Sequence, residues 1–288
     1  MEMHEVSPGV VVFVHPEGRS NCGMIHTGEG TVLVDTTARP VDIQAYLAMA
    51  GITAADVCLI LLTHSHSDHT SGIPLFDCPI LAHKLTRQRI SKRGTERARK
   101  QLPTETFEDR KAVEVGGVKL EIIHAGGHTP GSSVVWLPET RVLFVGDLVF
   151  EGLYPFLATA NVPDLVQALR WLPSFGARVI VPGHGLLCRD EQVLDQLGYI
   201  EATWARTAEH IALGHSLEQA LSDPDYTRCA ERGFEQLHSW NIKVVYRQLE
   251  KGLTLMDLED DSRFLARIAA ARRSLREGSG VRMEDIDP

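Results

Sequence analysis

The stretch richest in chemistry is Thr63-His64-Ser65-His66-Ser67-Asp68-His69, which follows the apolar run Val57 to Leu62. Three imidazoles and a carboxylate beside a core strand carry a desolvation cost that a bound cation offsets. His64 and His66 are two apart, so on extended backbone they face the same way, whereas adjacent Asp68 and His69 diverge. A helical H-E-x-x-H site differs, because its two histidines share one face at i and i+4. The H-x-H-x-D-H spacing therefore suits two neighbouring metals better than one.

Three further loops carry matching residue types: His128 in Gly126-Gly127-His128-Thr129-Pro130-Gly131, Asp147 in Gly146-Asp147, and His184 in Pro182-Gly183-His184-Gly185. Each follows an apolar strand directly or within a few residues. Loops that leave the same ends of strands converge on one edge of a sheet. Together the four loops offer five histidines and two aspartates, enough for two metals with positions open for water and substrate. All are nitrogen or oxygen donors, which suits Zn²⁺ first and allows Fe²⁺ or Mn²⁺.

The elements that must position these residues follow from apolar periodicity and turn signals. Val10 to Val14 and Thr31 to Val34 read as opening strands, the second ended by Asp35, whose carboxylate is expected to bond nearby loop amides. Pro40 to Ala50 has helical spacing and stops at Gly51. Strand 57–62 leads into the histidine loop. Ser71 to Phe76 reads as a short helical segment and Pro79 to Ala82 as a strand. Lys84 to Lys100 carries eight basic residues against one acid, either a solvated helical face or a positive rim that recruits an anionic substrate. The β pattern resumes at Val113 to Val115, Val118 to His124, Val134 to Leu137, Val142 to Val145 and Arg178 to Val181. Pro163 to Leu172 reads as a helix opened by proline. After 185 the chain turns helical: a stripe from Val193 to Ile211, a capping box at Ser216 and Gln219, then Phe234 to Leu249 and Phe264 to Leu275. The expected organisation is a catalytic unit over 1–188 with a basic insert at 84–112, C-terminal helices over 189–277, and a loose tail over 278–288.

At 288 residues, 43% hydrophobic and 23% charged, the composition is that of an ordinary soluble globular protein. A formal net charge of −9 weighs against nucleic acid or an anionic membrane as partner. The first residues lack the features of a secretory signal, and no apolar run approaches the ~20 residues of a membrane span, so a cytoplasmic location is expected. The five cysteines, Cys22, Cys58, Cys78, Cys188 and Cys229, form no C-x-x-C pair and read as reduced packing residues. Cys188 lies four residues after His184, which leaves a supporting or redox role open.

Taken in order, the H-x-H-x-D-H loop, G-G-H-T-P-G, G-D after a strand and P-G-H-G resemble the metallo-β-lactamase superfamily over roughly residues 8 to 188. The resemblance implies an α/β fold of the αββα sandwich type, with a dinuclear site at the sheet edge. It assigns His64, His66 and His128 to a first metal and Asp68, His69 and His184 to a second, with Asp147 bridging. A hydroxide held between the metals would be the nucleophile, and Asp68 would bind metal and accept a proton. The chain has no G-x-S-x-G elbow, so no side-chain nucleophile is implied.

Departures from known subgroups narrow the substrate. β-Lactamases of the superfamily usually lack the aspartate present here as Asp147. Acyl-homoserine lactonases place a tyrosine where this chain has Phe150, glyoxalase II-type thioesterases a histidine where it has Ser132, and flavin-linked di-iron members a glutamate where it has His66. The expectation is a hydrolase of a small ester, thioester or lactone, with Phe150, Tyr154 and Phe156 as candidates for the pocket wall. The rival is an iron-dependent persulfide dioxygenase needing only His64, His128 and Asp147, with a phosphodiesterase or a non-catalytic binding protein behind it. The expected partners are a small-molecule substrate and, through the C-terminal helices, a second copy of the chain.

Overall fold

The computed structural model describes residues 2–226, 233–255 and 281–282, and within them the apolar runs become two β-sheets. The first sheet takes β1 (Glu2–Ser7), β2 (Val10–Val14), β3 (Cys22–Thr27), β4 (Gly30–Val34), β5 (Val57–Leu61), β6 (Ile80–His83) and β7 (Glu105–Phe107) in chain order. Its pairing is antiparallel from β1 to β4 and parallel from β4 to β7. The second takes β8 (Arg110–Val115), β9 (Val118–His124), β10 (Ser133–Leu137), β11 (Val142–Phe150), β12 (Val179–His184) and β13 (Val281–Arg282) in the order β12-β11-β10-β9-β8-β13. The helices are α1 (Pro40–Met49), α2 (Ser67–Thr70), α3 (Lys84–Ser91), α4 (Glu96–Arg99), α5 (Val162–Trp171), α6 (Asp190–Ala212), α7 (Leu217–Leu221) and α8 (Gln236–Glu250).

Alternation along the strands explains the layering. Val10, Val12 and Val14 of β2 and Leu59 and Leu61 of β5 face Ile122, Val135 and Phe144 of the second sheet. The intervening Phe13 and Ile60 face outward onto Ile43, Tyr46 and Leu47 of α1. On the far side, Trp136, Leu143 and Val145 pack against Leu165, Val166 and Trp171 of α5, Ile200 and Trp204 of α6, and Val245 of α8. Strands buried on both faces need a layer on each side, and the result is the expected αββα sandwich.

Most elements fall where periodicity places them, with instructive exceptions. β1, β3 and β7 were not foreseen, and Lys84 to Lys100 divides into α3 and α4 about Gly94. β11 continues through Gly146-Asp147 to Phe150, with its register to β12 shifting at Gly146. The capping box at Ser216 and Gln219 is formed. Within the tail, Val281–Arg282 pair in parallel with β8. The helix expected over Phe264 to Leu275, the rest of the tail and Cys229 lie outside the described residues. No helix among the described residues is long and apolar enough to cross a membrane.

The helices after 188 also hold the backbone from the end of β11 to the start of α5. Gln196 of α6 accepts from Phe150 N (2.8 Å) and donates to the Leu148 carbonyl (2.7 Å). Asn241 of α8 accepts from Leu157 N (3.3 Å) and donates to the Pro155 carbonyl (2.9 Å). Gln248 accepts from Val162 N (3.0 Å) and donates to the Ala160 carbonyl (2.8 Å). Each amide satisfies one backbone donor and one backbone acceptor. Replacing Asn241 by Ala strands a buried N–H and a buried carbonyl, so Asn241→Ala should lower unfolding free energy by about 1–3 kcal/mol, measured as a reduced urea midpoint at unchanged m-value.

Candidate metal centre

The four loops meet at one end of the sandwich. Asp147 is buried on β11, and its two oxygens face different histidines. Oδ2 lies 3.4 Å from His64 Nε2 and 3.3 Å from His128 Nε2. Oδ1 lies 3.0 Å from His69 Nε2 and 3.3 Å from His184 Nε2. His66 joins the first group, its Nδ1 3.0 Å from His128 Nε2. Asp68 joins the second, its Oδ2 3.2 Å from His184 Nε2 and 3.6 Å from His69 Nε2. All seven residues singled out from the sequence are thus brought together, in two clusters that share Asp147.

The local backbone explains the placement. Gly146 takes φ +50°, where side chains are strained, and this kink within β11 sets the direction of Asp147. On the neighbouring strand Gly183 leaves no room for a side chain, since a Cβ there would sit 2.0 Å from Asp147 Oδ1. Asp35, at φ +60° after β4, accepts from Thr63 N (2.8 Å) and Thr63 Oγ1 (2.7 Å). Its carboxylate therefore bonds a loop amide as expected. It also lies 2.8 Å from His69 Nδ1, an orienting role that the sequence did not signal. His184 Nδ1 is set by the Gly18 carbonyl at 2.9 Å, and Thr159 Oγ1 lies 3.3 Å from His66 Nε2.

The donor set fits a divalent metal. His64 Nε2, His69 Nε2 and Asp147 Oδ1 are buried without a hydrogen-bond partner, a costly state that a coordinated cation relieves. Electrostatics divide the imidazoles. Burial and the neighbouring His69 depress His64 far below its ordinary range, and burial with His128 pushes His66 down to about 4. Burial also opposes charge on His69 and His184, yet Asp147 overrides it, holding His69 well up and His184 at about 10. Burial alone would raise Asp147 and Asp68, but His69 and His184 hold both below the carboxylate range. The carboxylates are thus neutralised by imidazolium protons that metal binding would release.

A cleft of about 800 Å³ opens onto the cluster, with His66, Asp68, Asp147 and His184 in its floor and Phe150 and Phe156 in its wall. Phe150 stacks on His184 with ring centroids 4.9 Å apart, and Phe156 lies 6.3 Å from His66. Tyr154 does not share this wall. It is buried in the core against Tyr199 and His238, because the turn after β11 directs it toward α6 and α8. Cys188 is a core residue whose thiol burial pushes up to about 12.

This fold and this site define a metal-dependent hydrolase. The family model of the metallo-beta-lactamase superfamily matches residues 15–184, and the chain belongs to that superfamily. A beta-lactamase-like protein 2 homolog of Caenorhabditis elegans is 30% identical over 211 residues, 70% of this chain and 68% of that protein. An atrochrysone carboxyl ACP thioesterase of Aspergillus fumigatus is 28% identical over 180 residues, 60% of this chain and 53% of its own length. This chain therefore spans about half to two thirds of these relatives. A metallo-beta-lactamase from Pontibacter korlensis superposes with a TM-score of 0.59 at 24% identity, covering 68% of this chain and 98% of that one. At that identity the likeness speaks for the fold alone.

Since Asp35 fixes His69 through one hydrogen bond, Asp35→Asn should weaken metal affinity about 10–100-fold, measured by competition with a chromophoric chelator. Unchanged affinity would remove Asp35 from the support of the site.

Proposed function

We propose that the chain is a dinuclear hydrolase that cleaves a small ester, thioester or lactone, with zinc the first choice of metal. The observation that carries this reading is the division of Asp147, with Oδ2 toward His64 and His128 and Oδ1 toward His69 and His184. A carboxylate so placed is suited to bridge two cations, one held by His64, His66 and His128, the other by Asp68, His69 and His184. When bound, two such cations supply a water of lowered pKa and a Lewis acid for the substrate carbonyl.

The chain's own residues do the rest. Asp68 lines the cleft and its side chain is one-third exposed, so it is placed to take the proton released as water adds to the acyl carbon. The C–O or C–S bond then breaks, and the leaving alcohol or thiol takes up a proton. Phe150 and Phe156 exclude water from one side of the reacting group and offer an apolar surface to its substituent. The name of the Aspergillus relative, an acyl-carrier thioesterase, favours the thioester member of the substrate class.

The test is metal quantification on the purified protein, followed by turnover of thioesters, lactones, β-lactams and phosphodiesters. Two metals per chain and hydrolysis of a thioester or lactone are expected. One iron per chain with oxygen uptake on a persulfide would replace this reading by the dioxygenase. Asp147→Ala should retain the fold by circular dichroism, bind less metal, and lose more than about 100-fold in kcat/KM, beyond the cost of losing a merely supporting residue.

A further inference from the structure

The basic stretch 84–100 divides in the structure. Lys84 pairs with Glu108 at 2.8 Å, Lys100 lies 3.8 Å from Glu96, and Arg87 donates to the Pro103 carbonyl. Arg93 is the residue of this stretch that lines the cleft. Its guanidinium donates to the carbonyl of Ser65, between the two histidines of the H-x-H pair, and to Gln101 Oε1 at 3.4 Å. Both acceptors are neutral, and among the described residues no carboxylate pairs with it. Its nearest charged influences, Arg89 and Arg97, are cations. The other guanidinium in the wall, Arg19, is already engaged by Glu17 at 2.6 Å.

A half-buried cation without a counter-charge is costly, and neutral acceptors relieve the cost only partly. Guanidinium has five N–H donors in a planar fork, so bonds to Ser65 and Gln101 leave capacity for a two-oxygen acceptor. The same cleft is also lined by the apolar side chains Phe150, Phe156, Phe234 and Leu237. The two features lie in one cavity with the His–Asp cluster.

We propose that Arg93 selects substrates that join an anionic group to an apolar body. The recognised chemistry is a two-oxygen anion within reach of the scissile acyl bond. It would be either a carboxylate on the acyl portion or a phosphate on the leaving group. This rests on the hydrolase reading above and extends it from reaction type to substrate class. Arg93 acts as a specificity-determining residue, since the ester or thioester chemistry itself needs no guanidinium.

The experiment compares three arylalkyl thioesters on the metal-loaded full chain: one with a carboxylate on the acyl side, one with a phosphate on the thiol side, and one neutral on both. For wild type, kcat/KM should favour an anionic substrate over the neutral one, and Arg93→Gln should reduce that ratio about tenfold or more. Arg93→Lys, which keeps the charge and loses the fork, should fall between them. A fall confined to the acyl carboxylate or to the thiol phosphate assigns the source of the anion. Equal ratios in wild type and Arg93→Gln at equal metal content would overturn the proposal and leave Arg93 as a prop for the Ser65 carbonyl. If no thioester, ester or lactone is cleaved, the hydrolase reading fails separately. Arg93 is then judged by calorimetric binding of phenylbutanoate against phenylbutanamide, where a preference for the anion lost in Arg93→Gln supports it and an equal preference in both sinks it.

Discussion

One buried carboxylate constrains the rest of this molecule. Removing an ionised Asp147 from water costs several kcal/mol unless positive charge or donors surround it. Four imidazole nitrogens, from His64, His69, His128 and His184, lie within 3.0–3.4 Å of its oxygens. Those histidines come from three separate loops, so satisfying Asp147 requires the ends of β5, β9 and β12 to meet beside β11. The two sheets are joined at this edge by electrostatics as well as by the apolar core between them.

Strand topology makes that meeting inexpensive. β4 and β5 run parallel, so the residues just past their ends are neighbours, and Asp35 N donates to the Leu61 carbonyl at 2.9 Å before its side chain reaches Thr63 and His69. β11 and β12 also run parallel, which pairs Phe150 with His184 and brings their rings into a stack. Two of the ligand-type histidines have a fixed partner at the far nitrogen, Asp35 for His69 and the Gly18 carbonyl for His184. Ring orientation is thus inherited from strand order, and it fixes which nitrogen faces Asp147.

The sequence made the reacting half of this site legible and the selecting half obscure, for physical reasons. His64, His66, Asp68 and His69 lie within one short loop, and polar residues of that density beside a core strand have few explanations. His128, Asp147 and His184 follow apolar runs whose periodicity is strong. By contrast β1, Glu-Met-His-Glu-Val-Ser, is a polar edge strand, and β3 is interrupted by Gly23, so neither shows a clean two-residue alternation. Of the three wall candidates, Tyr154 turns into the core, since proximity in sequence to Asp147 does not decide which way a turn sends a side chain. Gln196, Asn241 and Gln248 are ordinary surface-type residues by composition. Only the folded chain reveals that they are buried or half-buried against backbone groups 46 to 88 positions away.

These same contacts separate the part of the site that reacts from the part that chooses. Gln196 and Asn241 hold main-chain groups of 148–157, and Gln101 donates to the Thr70 carbonyl at 2.9 Å. Arg93 likewise rests on the main chain of Ser65 and not on a ligand-type side chain. A backbone carbonyl or amide is present whatever the side chain beside it. The main chain that carries the cleft wall is therefore anchored independently of the wall's own side chains. The His–Asp cluster has no such latitude, because Asp147 and Asp68 meet their histidines directly through side-chain atoms. On the proposed reading, Arg93 is placed to choose among substrates without joining the cluster, since it lines the cleft and meets the H-x-H pair only through the Ser65 carbonyl.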